Sequence, residues 1–146
     1  MGKKIFKTSE DIVQFVEEQF NKTGLDNEGV VCNIMSVTKS KNIIEVKAIT
    51  ETEKFKTHNS SDGINIVIYE TAFDRLTDVI KEALVEGALS KVSYNLEKEK
   101  LTIDTSPYGE VLRMRNKYPE YLDYIETALL TIEQIAEEEK EDKANK

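Results

Sequence analysis

The apolar residues of this chain change their spacing along its length, and that change does most to limit the fold. Ile12, Val13, Phe15, Val16 and Phe20 recur every three or four residues, the period of one helix face. Ile44, Val46 and Ala48 instead alternate with Glu45 and Lys47, the period of a half-buried strand. A chain that switches between the two periods must bury helices against sheet, which is the α+β class.

Punctuation residues set the expected element ends. Thr8-Ser9-Glu10-Asp11 reads as a hydroxyl cap with an acid three residues on, and Gly24 as a stop, so the spacing predicts a helix over 10–23. Leu25 to Gly29 reads as a loop. Val30 to Val37 and Asn42 to Ile49 read as strands joined in a hairpin through Thr38-Lys39-Ser40-Lys41, the second extending towards Phe55. His58 to Gly63 is a polar turn, and Ile64 to Tyr69 a short apolar strand. Thr71 with Asp74 repeats the cap pattern and opens a predicted helix over 72–89, with Phe73, Leu76, Ile80, Ala83, Leu84 and Gly87 on its buried stripe. Val92, Tyr94 and Leu96, then Leu101 and Ile103, alternate on either side of Glu97-Lys98-Glu99-Lys100 and predict a second hairpin.

A short helical segment is expected over 107–116. Pro119 then opens a long helix whose Leu122, Ile125, Leu129, Ile132 and Ala136 step by three and four. That stripe predicts docking onto the sheet and leaves open the pairing of two copies through the helix. The sum is one domain over residues 1–136. Its sheet is mainly antiparallel, of about four to five strands, with helices packed on one face. Residues 137–146, polar except Ala144, are expected to fray into a charged tail.

Charge narrows the partners. The chain carries 28 acidic against 20 basic residues, a net charge of -8. Phosphate binding draws on lysines and arginines, so this balance argues against direct nucleic-acid binding. It suits a protein partner, or an acidic mimic of DNA that inhibits a basic host protein, with acids in rows at phosphate-like spacing. No apolar run approaches the roughly 20 residues that span a bilayer, and Met1 to Phe6 lacks the apolar stretch of a signal peptide. One cysteine, Cys32, lies in an apolar run and reads as a core thiol, which places the chain in a reducing, cytoplasmic setting.

The same inventory limits the chemistry. Protein zinc sites draw on several His, Cys or carboxylate ligands. Here there is one histidine, His58, in a polar turn, beside the one cysteine. Phosphate-cradling glycine loops and a nucleophile elbow are absent from the sequence. The reading is therefore of a chain without a catalytic residue, a metal or a cofactor. A metal-independent enzyme would need a pocket of carboxylates with raised pKa. The most distinctive surface candidate is an aromatic and basic cluster, Tyr108, Arg113, Arg115, Tyr118, Tyr121 and Tyr124, because Tyr and Arg combine contact area with directional bonds. The alternative for the tyrosines is that they close the core where the last helix docks.

From Ile64 onward the order of elements resembles bacteriophage-type metallopeptidases, which are minimal zincin-like domains. The stretches that carry the likeness run Ile66-Val67-Ile68-Tyr69-Glu70-Thr71-Ala72-Phe73-Asp74-Arg75-Leu76 and Ala83-Leu84-Val85-Glu86-Gly87-Ala88-Leu89-Ser90-Lys91-Val92. In that family an edge strand feeds a helix bearing H-E-x-x-H, followed by a hairpin and further helices. The resemblance puts the first histidine at Gly87, the glutamate at Ala88 and the second histidine at Lys91, with a third ligand, also a histidine, near Asp104 to Ser106. None of those groups is present. The likeness implies a zincin-like core that has lost its metal motif, in a phage-type protein of the host cytoplasm or virion, with the old cleft free to bind another protein.

Overall fold

A computed structural model describes residues 4–58, 61–106 and 108–144. The expectations that touch Met1 to Lys3, Asn59, Ser60, Pro107, Asn145 and Lys146 lie outside the described residues. The fold is α+β. Strand β1 (Ile5–Phe6) precedes helix α1 (Glu10–Lys22), a 3-10 turn (Leu25–Glu28), β2 (Val31–Val37) and β3 (Ile44–Ala48). Helix α2 (Glu51–Thr57), β4 (Gly63–Tyr69), and helices α3 (Glu70–Phe73) and α4 (Asp78–Leu89) come next. A hairpin of β5 (Val92–Asn95) and β6 (Lys100–Ile103) leads to α5 (Gly109–Met114) and α6 (Tyr121–Ala144).

The main sheet has the order β1-β2-β4-β3, so β2 and β3 are not the expected hairpin. Strand β4 enters between them, parallel to β2 (Ile34 opposite Ile66) and antiparallel to β3 (Val46 opposite Ile66). The sheet is therefore mixed where a mainly antiparallel one was expected, and β5 and β6 form a separate pair. Composition explains the order. Ile64, Ile66 and Ile68 are fully buried, and Asn65 behind them is nearly so. A strand this apolar belongs in the middle, whereas β3, with Glu45 and Lys47 on one face, tolerates an edge.

Helices α1 and α4 pack on the face that carries Ile64, Ile66 and Ile68, where Ile12, Val16, Phe20, Ala83, Leu84 and Val85 complete the core. Helix α2 lies on the opposite face, since the Asn65 side chain donates to its Glu53 Oε2 at 2.8 Å. The helices thus do not all share one face. No helix among the described residues is long and apolar enough to cross a membrane.

Three element ends and one cap differ from the spacing. The predicted extension of β3 towards Phe55 is instead α2, because Thr50 and Glu53 close a capping box: Glu53 N–H donates to Thr50 Oγ1 and Thr50 N–H to Glu53 Oε1, both at 3.2 Å. The single helix expected over 72–89 is broken at 74–77, where Arg75 and Leu76 N–H groups tighten onto Ala72 and Phe73 carbonyls and turn Leu76 inward. Helix α1 starts as expected, yet Thr8 is no cap; it is buried, and its hydroxyl accepts from Ser36 Oγ at 2.8 Å. Helix α6 continues through the expected tail to Ala144, and Arg75 grips Glu138 with two hydrogen bonds at 3.1 and 2.7 Å.

Candidate functional site

The last turn of α4 ends beside an open groove of about 310 Å³. One wall is the edge strand and its approach, Asn42 to Lys47; the other is α6, through Ile125, Ala128 and Leu129. Leu84, Lys91 and Glu110 line it as well. The volume is at the small end for a ligand pocket, and the outer side of β3 pairs with no other described strand.

Of the positions picked out by resemblance only Lys91 lines this groove, and the strand that leads into α3 and α4 is the central β4, not the edge strand the resemblance calls for. Gly87 and Ala88 are buried in α4, and Lys91 follows its end, half-buried. The Lys91 ammonium stands 3.1 Å from Glu110 Oε1, and the buried Tyr121 hydroxyl donates to Glu110 Oε2 at 2.6 Å. Glu110 is only 17% exposed, so its charge needs such partners. Burial, and then the bond to Glu110, push the Tyr121 hydroxyl pKa well up, so it stays protonated and keeps donating. Gly87 makes the arrangement possible: a Cβ there would overlap the Tyr121 hydroxyl. A lysine, a glutamate and a tyrosine thus clasp α4, α5 and α6 together.

Two further contacts tie the same turn down. Arg113 Nε donates to Ser90 Oγ at 3.2 Å and its Nη1 to Asp104 Oδ2 at 2.6 Å. With a second bond from the Ser106 N–H, the guanidinium holds the Asp104 carboxyl at a pKa of about 2. Lys117 donates to Glu86 Oε1 at 2.6 Å and lies over the Tyr118 ring. The carboxylates whose pKa is clearly displaced, Glu53, Asp104 and Glu138, are all held down rather than raised.

The expected aromatic and basic surface is only partly assembled. Tyr121 is 1% exposed and belongs to the core, which corrects its place in a surface cluster; a ring this large fills the gap that Gly87 leaves. Tyr118 and Tyr124 are half-buried and meet edge to face with centroids 6.4 Å apart. Tyr108 and Arg115 are exposed, and Arg113 is spent on Asp104 and Ser90. Glu110 is the residue that spacing alone did not nominate; its position on a short helix gives no signal until α4 and α6 are placed around it.

His58 is exposed and ends α2 in a left-handed conformation, φ 56°. Burial, followed by the Glu17 charge, pushes the Cys32 thiol up to about 12. Among the described residues no three His, Cys, Asp or Glu side chains are grouped so that they could hold a metal ion. No family model, curated protein or solved structure matches this chain.

Proposed function

We propose that this chain is a non-catalytic protein-binding module of phage type, built on a zincin-like scaffold that has lost its metal motif, and that the groove beside β3 receives the partner. The observation that supports this most is the Lys91–Glu110–Tyr121 clasp. At the position the resemblance gives to the second imidazole, an ammonium neutralises a carboxylate that would otherwise need another cation. With those charges satisfied by one another, the groove offers shape, the edge strand β3 and apolar side chains, which are means of binding rather than of bond cleavage. A cytoplasmic or virion setting follows from the same reading.

The test is to pan a random peptide library against the full chain and map the selected peptides by NMR. The expected result is that amide signals of Leu84, Lys91, Glu110 and Ile125 shift while the peptides stay uncut, with or without added zinc. Cleavage by the purified chain would sink the reading, as would selected peptides that leave those signals unmoved.

A further inference from the structure

Helix α6 is rotated away from the face that its sequence favours. The residues it buries are Tyr121, Ala128, Thr131 and Ile135. The line Leu122, Ile125, Leu129, Ile132 and Ala136, which keeps the heptad rhythm, sits one residue further on and is turned by roughly 100° from the buried line. It is left at the border of the protein. Leu122 is 64% and Leu129 46% exposed, while Ile125, Ile132 and Ala136 are half-buried. Ile125 and Leu129 continue this strip into the groove beside β3. A seam of this spacing, open on one side, fits the apolar ridge of a helix.

Charge says which helix. Glu126 and Glu133, seven residues apart, are exposed along the open flank of the strip, and Glu137 follows. Among the described residues neither Glu126 nor Glu133 is ion-paired. Between Lys117 and Lys140 the sequence has no basic residue at all. Two copies of α6 laid antiparallel would set these glutamates against each other, which disfavours the pairing of copies through this helix.

We propose that the α6 strip docks a cationic amphipathic helix of another protein, with its apolar ridge on Leu122, Ile125 and Leu129 and its lysines or arginines facing Glu126 and Glu133. This rests on the reading of the groove as a binding site and specifies the partner it takes. It also departs from the picture of a DNA mimic, because the acids alternate with leucines rather than forming a purely charged surface.

The test titrates the full chain with a synthetic Leu/Lys amphipathic helical peptide and with its Leu/Glu counterpart, read by fluorescence anisotropy. The Leu/Lys peptide is expected to bind, more weakly as salt is added, and the Leu/Glu peptide not to bind. Leu122→Ser with Leu129→Ser leaves every charge in place and removes only exposed side chains, so circular dichroism should be unchanged while affinity falls roughly tenfold or more. Unaltered affinity in that variant would mean bare charge attraction and would overturn the proposal. So would a dimer in sedimentation that dissociates on the same substitutions, or bound peptides that protect the amides of β3 as an added strand. If library peptides move the groove signals and the Leu/Lys peptide does not bind, this inference falls and the groove reading stands; if neither moves them, both fall.

Discussion

Gly87 shows how one missing side chain can organise three elements. In an exposed helix, replacing glycine by alanine gains up to about 1 kcal/mol of helix propensity. Here the added methyl meets the Tyr121 hydroxyl and ring, which are buried and tied to Glu110. Gly87→Ala is therefore expected to lower the urea midpoint, by about 1–3 kcal/mol of overpacking against that gain. A rise in the midpoint would show that Tyr121 can move aside. Arg113 carries a second residue-scale prediction. Its guanidinium is the main cause of the low Asp104 pKa, so Arg113→Gln should bring that carboxyl back up towards the ordinary aspartate value, visible in a carboxyl NMR titration. The sign follows from the depressed pKa: the interaction is fully present above the unfolded value and is lost as pH falls from about 4 towards 2. Cys32, its thiol held protonated, should alkylate much more slowly at pH 8 than an unhindered cysteine, as mass spectrometry would show. Gly87 was legible from its place on the buried stripe and Lys91 entered only through a resemblance, while Tyr121 follows the alternative of closing the core, since a tyrosine at a docking face and one inside it have the same sequence signature.

Element boundaries depended on which local signal competed with which. The Thr50–Glu53 box obeys the same rule that predicts a cap at Thr8, yet the alternation from Ile44 onward masks it, so the spacing predicts a strand where a helix forms. Thr50→Ala should cost about 0.5–2 kcal/mol locally and speed amide exchange in α2 while leaving β4 protected. The break between α3 and α4 has no glycine or proline to announce it; it is imposed by the burial of Phe73 and Leu76, which only the assembled core demands. Hairpin pairing failed for a related reason. Val31–Val37 and Ile44–Ala48 are adjacent in sequence and look complementary, but burial on both faces ranked Gly63–Tyr69 above either for the central place. By contrast β5 and β6 pair as their alternation predicts, Val92 with Ile103 and Tyr94 with Leu101, because no third strand competes.

For the molecule as a whole, class and core composition were readable while connectivity was not. Helix α6 supplies Tyr121, Ala128 and Ile135 to the same core as β4 and α4. Deleting residues 119–146 should therefore expose that core and give a chain that binds hydrophobic dye and melts without a sharp transition; a folded, cooperative product would show the helix to be an appendage. The central position of β4 has one more consequence, for the order of events during synthesis. Strands β2 and β3 cannot close on each other as a local ribbon, since the segment that joins them into a sheet is made later. A nascent chain that has emerged only as far as α2 can pair β1 with β2 but has no strand for β3 to join, so the four-stranded sheet must wait for Tyr69 and is complete only once the long β2-to-β4 crossover has closed.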